Sequence, residues 1–479
     1  MPLDTYGGEI EMLAVNLDWS LAPMDLASKS GFSKDKNHFP VNKSGWLTYD
    51  SCTHLLEANI FPTLSLWELL ERVRTVVWTT INVTKSNWVR LLNASTYPLG
   101  TYQQAYANNV RKIIYALFRW PATDKERMLI EALGEGYQHR NWKHECSSMF
   151  AGIQPWNSVG LENIESIFES LFIWSPLGKY ATANGWYIQW QETTYTDNRW
   201  RMYDPKEGML STSIYPEDAK LLEKFPWKNF TLSSYFQHIF SNFRMSFIGN
   251  KDGLIAFKNP IKIKDLLQAK DVSYVNAWDN SEWVIAHPSE ELSFSDIYGS
   301  CIFFPDFKLR IVDGEDSIEI RWQELLDLFW AIESWDELRI KDIFQKHKTR
   351  FCIEWRNYST NLPQWEDFSA TYFPFIFQTL LIKNHKKVVE TAKRTWINFW
   401  ELNSHIYENG LGIENTEKLT QLTEAIFSDT EDFTEAEQVL IHAAKVRFLD
   451  MIRNKTSKSI QDKYIHWSDV EAFIQSNLV

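Results

Sequence analysis

The spacing of the apolar residues changes twice along this chain, and this change constrains the fold more than any other feature. Helical spacing dominates from about residue 61 to 176 and again from about 323 onward, whereas alternation of period two dominates between them. Helical spacing builds one face of a helix, and alternation builds one face of a strand. The pattern predicts a mixed α+β fold with a helical N-terminal region, a β-rich middle with antiparallel hairpins and a helical C-terminal bundle.

Capping boxes mark where several of the helices begin. In each, a Ser or Thr is followed three positions later by a Glu, and the two residues satisfy each other's free backbone N–H groups. Ser175-Pro176 predicts a helix end, because proline lacks the backbone N–H that continues the ladder. The predicted capping pairs are Ser65 with Glu68, Thr123 with Glu126, Thr434 with Glu437, and Ser468 with Glu471.

Three stretches of the middle region predict hairpins. "GWYIQWQETTYTDNRWRMYD" alternates large apolar residues around a turn near Asp197-Asn198, while "RMSFIGNKDGLIAFK" and "KLRIVDGEDSIEIRW" have turns rich in glycine and aspartate. The first sixty residues predict mostly irregular structure with a few strands. The predicted divisions are a mixed N-terminal segment at 1–60, a helical domain at 61–176, a β-rich domain at 177–322 and a helical domain at 323–479.

Charge and cysteine content restrict the partners and the compartment. The net charge of −13 disfavours non-specific binding to nucleic acid or to anionic membranes, although local basic patches leave nucleic acid open as a partner. The four cysteines include no C-x-x-C pair, as is typical of reduced thiols in a cytosolic protein. No apolar run approaches transmembrane length. The sequence therefore predicts a soluble, cytoplasmic protein with no membrane partner.

The common catalytic signatures are missing from the chain. Neither phosphate-binding glycine motif is present, and H-E-x-x-H, G-x-S-x-G and an EF-hand loop are also absent. Their absence disfavours a nucleotide-driven motor and a serine hydrolase.

The stretch "EGYQHRNWKHECSS" contains the first candidate site. Arg140 and His144 are four positions apart and share a helix face, whereas His139 and His144 do not, which disfavours a metal-binding pair. Arg140 and His144 resemble a shortened HEPN ribonuclease motif, in which an arginine precedes a histidine at a helical dimer interface. Three residues intervene here, where the motif has four to six. The alternative is a polar surface around an inward-packed Trp142.

The stretch "FFPDFKLRIVDGEDSIEIRW" contains the second candidate site. Asp306, Glu319 and Arg321 resemble the core of PD-(D/E)xK nucleases, in which two acids hold Mg²⁺ and a lysine positions water. The resemblance implies that Asp306 and Glu319 are the metal ligands. Arg321 stands where the lysine belongs, and arginine cannot lose its proton. The alternative is an exposed ladder of ion pairs between strands.

Tryptophan content and charge segregation lead to the functional prediction. The chain has 23 Trp residues against 18 Gly, and residues 401–437 contain ten acidic side chains and one lysine. Tryptophan favours interfaces and cores with polar seams. We predict an intracellular recognition or scaffold subunit with a protein partner at the C-terminal helices and no cofactor. The alternative is a nuclease effector of an antiviral or toxin system. Its PD-(D/E)xK-like form would need Mg²⁺, whereas its HEPN-like form would not.

Overall fold

The computed structural model describes most of the chain between residues 5 and 479. Outside the described part lie residues 27, 29–32, 34–37, 51, 100–148, 186, 189–190, 193–196, 198, 200–229, 243, 251–252, 277–281, 287–289, 291, 301–306, 313–316, 357, 364–365, 396–415 and 455–477. Within the described part, no helix is both long enough and apolar enough to cross a bilayer.

An antiparallel sheet of nine strands organises the described residues. Its main path runs β13-β14-β6-β1-β4-β3-β2, with β15 added beside β6 and β5 beside β1. The strands are β1 (Tyr6–Val15), β2 (Phe39–Val41), β3 (Gly45–Tyr49), β4 (Leu55–Thr63), β5 (Arg90–Leu92), β6 (Gly152–Val159), β13 (Phe307–Val312), β14 (Arg350–Trp355) and β15 (Tyr358–Ser359).

Two smaller antiparallel sheets lie in the middle of the sequence. One pairs β7 (Tyr187–Ile188) with β8 (Gln191–Glu192); the other has the order β12-β11-β10-β9. The hairpin predicted from "RMSFIGNKDGLIAFK" is confirmed, since Asn250 pairs with Gly253 across its turn. The strands of the second sheet are β9 (Arg244–Asn250), β10 (Gly253–Lys262), β11 (Asp271–Asn276) and β12 (Glu282–Ala286).

Eleven helices are described, and together with the antiparallel sheets they confirm the mixed α+β class. The predicted capping box at Thr434 is also confirmed, because its hydroxyl accepts the backbone N–H of Glu437 and the Glu437 carboxylate accepts that of Thr434. At Ser65 only one half of the predicted box forms: the hydroxyl accepts the backbone N–H of Glu68, whose carboxylate accepts from Thr63 and Arg72 instead. The helices are α1 (Leu66–Lys85), α2 (Ile164–Thr182), α3 (Leu232–Asn242), α4 (Ile263–Gln268), α5 (Phe294–Ser300), α6 (Trp322–Glu333), α7 (Glu337–Lys346), α8 (Ser369–Lys383), α9 (His385–Thr395), α10 (Thr416–Ile426) and α11 (Glu435–Asn454).

One face of the main sheet is apolar and is covered by helices. Residues at alternate positions, such as Ile10, Met12 and Ile353, are fully buried there. Helices α1 and α8 pack on this face, and a Cβ atom added to Gly8 would lie 2.7 Å from the ring of Phe375 in α8. Helices α2, α9, α10 and α11 pack around α8. Burial of this layer is the main contribution to the stability of the fold.

Three local predictions differ from the structure. Residues 1–60 supply central strands rather than irregular structure, because β1 and β4 are held on both sides by partners from other parts of the chain. Helix α2 continues through Pro176 to Thr182, since its packing against α8 and β15 outweighs the hydrogen bond that proline cannot make. Strand β13 pairs with β14 instead of forming the predicted hairpin with residues 317–322.

The main sheet takes strands from each of the four predicted domain ranges. Strands β1 to β3 lie in 1–60, β6 in 61–176, β13 in 177–322 and β14 in 323–479. The domain boundaries themselves stay a prediction.

Candidate functional site

The face of the main sheet opposite α1 and α8 carries charged and polar side chains. Directly opposed residues of paired strands point to the same side, so the register identifies the members of this face. Glu9 opposes Asn59 and Gln154, Glu11 opposes Glu57, and Glu354 opposes both Trp156 and Lys308. We call it the charged face; its members are Glu9, Glu11, Glu57, Asn59, Gln154, Trp156, Lys308, Arg310, Cys352 and Glu354.

Glu9 is a desolvated carboxylate at the centre of the charged face. Burial raises its pKa well above the usual value, and the negative charges of Glu57 and Glu354 raise it further, against the opposing effect of Arg310 and Arg356. No described residue donates a hydrogen bond to its carboxylate. Burial and the neighbouring negative charges favour the protonated form of this carboxyl group, and a bound cation would favour its ionised form.

Glu11, two positions along β1, has protein partners. Its carboxylate accepts hydrogen bonds from Gln154 Nε2 at 2.7 Å and from Arg199 Nη1 at 3.2 Å. Burial raises the pKa of Glu11 to about 7, with Arg199 lowering it and Asp50 raising it. Glu11 therefore changes charge near neutral pH, in a position where a cationic ligand would favour its ionised form.

Glu354, on β14, holds two arginines together. It accepts a hydrogen bond from Arg310 Nε and another from Arg356 Nη1, the latter at 2.8 Å. Burial would raise the pKa of Glu354, but Arg310 and Arg356 outweigh this effect and lower it to about 2. Burial and the neighbouring Glu354 raise the pKa of the Cys352 thiol to about 12, so this cysteine stays protonated.

Asp197 fixes the position of Arg199 by accepting a hydrogen bond from its backbone N–H. This fully buried carboxylate accepts hydrogen bonds from the hydroxyls of Ser95 and Ser359, from the backbone N–H groups of Asn184 and Gly185, and from the backbone N–H of Arg199. The Arg199 guanidinium also donates to the carbonyl oxygen of Arg356 at 3.0 Å. Asp197 thus joins separate segments around the arginine that contacts Glu11.

Charge is divided along the charged face and the two arginines beside it, Arg199 and Arg356. One side, which we call the anionic half, contains three carboxylates from β1 and β4 together with Arg199. The other side, the cationic half, contains Lys308, Arg310 and Arg356 around Glu354 at β13 and β14. The sheet from β4 to β13 spans four gaps between strands, or about 19 Å. The two halves therefore present charges of opposite sign on one face of the sheet.

The carboxylates do not form a complete metal cage by themselves. Within the described part of the chain, no group of three or more His, Cys, Asp or Glu residues is arranged to hold a metal ion. Mg²⁺ commonly takes only one or two protein carboxylates and completes its octahedron with water and substrate phosphates. The charged face suits such a shared cation better than a structural metal.

Of the candidate residues identified in the sequence, the two that the structure describes, Glu319 and Arg321, lie away from the charged face. Arg140, His144 and Asp306 lie outside the described residues. Glu319 and Arg321 form an exposed ion pair of 2.5 Å in the segment before α6 rather than on a strand. Glu319 also lines a cavity of about 260 Å³ beside Ile311.

Sequence reasoning missed the residues of the charged face, although one signal was present. Glu9-Ile10-Glu11-Met12 alternates charged and apolar side chains, which is the pattern of a strand between two different environments. The other members lie more than forty residues from β1 in sequence. Only pairing in the sheet shows that they share one face.

The sequence matches no protein-family model and no curated protein. Among solved structures, the fold is similar to a glutamate–cysteine ligase from Francisella tularensis in complex with AMP, at 12% identity and a TM-score of 0.49, over 99% of this chain and 87% of that one. It is also similar to a bifunctional glutathione synthetase from Pasteurella multocida, at 11% identity and a TM-score of 0.49. This chain, 99% of which is covered, spans 50% of that second protein.

The prediction of a recognition or scaffold subunit, and its nuclease alternative, are wrong. The matched structures are a glutamate–cysteine ligase and a bifunctional glutathione synthetase, and neither is a scaffold subunit or a nuclease. In the structure, the C-terminal helices α8 to α11 pack against one another and α2, and the sheet that β13 joins does not include Glu319. At these levels of identity and TM-score, the matches assign no reaction or substrate to this chain.

Proposed function

We propose that this chain is an enzyme that joins a carboxylate to an amine, using a nucleoside triphosphate bound with Mg²⁺ on the charged face. The observation that carries the proposal is Glu9, a desolvated carboxylate with no donor among the described residues, adjacent to two further carboxylates. Carboxylates placed this close together repel one another, and a proton or a cation between them relieves the repulsion. Glu9 and Glu57 are the residues we assign to the cation.

The cationic half provides the complementary recognition. Arginine presents a planar set of donors that matches the oxygens of carboxylates and phosphates, and Glu354 holds Arg310 and Arg356 in place from within the sheet. Lys308 adds a third positive charge and is 5% exposed. These side chains are suited to bind a carboxylate substrate and to stabilise negative charge on a transferred phosphoryl group.

The division of charge favours a reaction with two substrates. In such a ligation, a carboxylate oxygen attacks the γ-phosphorus and the bond to the nucleoside diphosphate breaks. The amine nitrogen then attacks the acyl carbon of the acyl phosphate, releases inorganic phosphate and loses a proton. The anionic half would hold the metal–triphosphate, and the cationic half the carboxylate and the acyl phosphate. Glu11, with a pKa of about 7, is suited to take up the proton of the amine.

Calorimetry with Mg·ATP and Mg·GTP tests the binding step, and mass spectrometry of reactions with pooled carboxylic acids and amines tests the ligation. We expect Glu9→Gln to weaken nucleotide binding by about 10- to 100-fold, as loss of a metal-supporting group typically does. Glu319→Gln, which changes an exposed carboxylate away from the charged face, serves as the matched control. Wild-type protein that binds no nucleoside triphosphate with Mg²⁺ or Mn²⁺ would overturn the proposal.

We also propose that the enzyme acts in the cytoplasm. Cys52 and Cys352 are both free thiols in the interior. Unpaired buried cysteines are typical of proteins that work in a reducing compartment. Fractionation of the native host, with detection by an antibody, tests this location; recovery of the protein outside the cytoplasm would contradict it.

A further inference from the structure

Two buried polar atoms on strand β6 have no hydrogen-bond partner among the described residues. They are the indole Nε1 of Trp156 and the amide Oε1 of Gln154. The other amide atom of Gln154, Nε2, donates to Glu11, so half of this side chain is already committed. Leaving a buried donor or acceptor unpaired costs about 1–3 kcal/mol. Two such unpaired atoms on one strand suggest that a ligand supplies their hydrogen-bond partners.

The register places both residues among the charged groups. Trp156 lies between Gly7 of β1, which has no side chain, and Glu354 of β14, whose oxygens accept from Arg310 and Arg356. Gln154 lies opposite Glu9. The unpaired donor therefore adjoins the cationic half, and the unpaired acceptor adjoins the anionic half.

We infer that Trp156 is a substrate-binding residue whose indole N–H donates a hydrogen bond to an anionic oxygen of the substrate in the cationic half. The inference rests on the proposed function and deepens it, because it names the side chain that would discriminate between substrates. An indole nitrogen can only donate, so its partner must be an acceptor, and two arginines beside it favour a phosphate or carboxylate oxygen. Gln154 Oε1 remains as an acceptor for a cationic or donor group.

Trp174 and Trp355 also have unpaired indole N–H groups, but they lie away from the charged face. Each has a buried Nε1 atom without a described partner, and each is fully buried. Trp174 packs against the rings of Phe377 and Phe448 in the helical layer, where no charged group of the face lies. Trp174→Phe is therefore a matched control: it removes the same N–H group from a fully buried position away from the charged face.

The test uses Trp156→Phe, which keeps an aromatic ring and removes the donor. Calorimetry would measure the affinities of three probes: Mg·ATP, inorganic tripolyphosphate and succinate. We expect Trp156→Phe to weaken binding of at least one probe by about tenfold, the effect of one hydrogen bond to a charged group. Trp174→Phe should leave all three affinities unchanged. Equal affinities in Trp156→Phe and wild type for every probe that binds would overturn the inference.

A second measurement keeps the inference testable even if Trp156→Phe does not fold. In ¹⁵N-tryptophan-labelled wild-type protein, the indole N–H signal of Trp156, assigned with Trp156→Phe or Trp156→Tyr, should shift when a probe binds. A shift with tripolyphosphate or succinate but no binding of Mg·ATP would reject the proposed function and support the inference. An indole signal that none of the three probes moves would overturn the inference, whether or not nucleotide binds.

Discussion

Arg199 and Glu11 form a buried ion pair that connects residues 188 positions apart in sequence, with Arg199 Nη1 lying 3.2 Å from Glu11 Oε2. The arginine is 2% exposed, and Asp197 holds its backbone. A buried pair of this kind does not by itself prove a gain in stability, but removal of one partner leaves an uncompensated charge. The pair therefore links the integrity of the charged face to the protonation state of Glu11.

Arg199→Met should destabilise the protein more at pH 8 than at pH 6. The pKa of Glu11 is about 7 in the folded protein against 4.5 for the free group, so the folded state binds its proton more tightly than the unfolded chain does. Its ionisation lowers stability as pH rises from about 4.5 to 7. At pH 8 the variant must bury an unpaired carboxylate, with an expected loss of about 3–5 kcal/mol in urea unfolding.

The control for that variant is Arg339→Met, which removes an exposed arginine paired with Asp342. Its loss should be within about 0.5 kcal/mol and should not change between the two pH values. A loss in Arg199→Met that is the same at pH 6 and pH 8 would contradict the role assigned to Glu11.

Glu354→Gln should destabilise the protein at neutral pH and remove part of its sensitivity to acid. The pKa of Glu354 is lowered to about 2, so its ionised form stabilises the folded state above pH 4.5 and this contribution disappears as pH falls towards 2. The half-exposed Arg310 and the mostly buried Arg356 lose the fully buried counter-charge between them, and we expect a loss of about 2–4 kcal/mol at pH 7. Urea unfolding at pH 7 and pH 3 measures both effects. If the variant lost as much stability between pH 7 and pH 3 as the wild type does, the role assigned to Glu354 would be excluded.

Gly152→Ala, at the start of β6, should displace the side chain of Arg199, which packs against this glycine. A Cβ atom at this position would lie 2.2 Å from Arg199 Nη2, so the guanidinium that contacts Glu11 must shift. Overpacking of this kind costs about 1–3 kcal/mol. In a double-mutant cycle, Gly152→Ala should cost much less when Arg199 is already methionine, because the clash is gone. Equal costs in both backgrounds would show that Gly152 acts independently of Arg199.

Glu437→Ala should destabilise the junction of α1 and α11. Glu437 completes the capping box with Thr434, and its carboxylate also accepts the backbone N–H of Trp67 at 2.7 Å. Loss of both interactions should cost about 1–2 kcal/mol in thermal or urea unfolding. Glu435→Ala changes an exposed residue in the same helical turn and should have little effect; similar losses in the two variants would argue against the cap.

The local features were predictable to the extent that neighbouring residues determine them. The helix starts at Ser65 and Thr434 follow from hydrogen bonds over three residues, and the pairing of Asn250 with Gly253 follows from the alternating apolar residues and the nearby glycine and aspartate. The path of β13 was not predictable in the same way, because its partner β14 comes after two intervening helices.

The sequence alone determined the α+β class, the helix starts and the alternation at Glu9 and Glu11, since each depends on residues only a few positions apart. The tertiary structure alone decided that β1 lies between β4 and β6, that Arg199 contacts Glu11, and that Trp156 lies beside Glu354. The reason is physical: a strand's pairing and the pKa values of buried groups depend on partners brought together by packing of the whole chain.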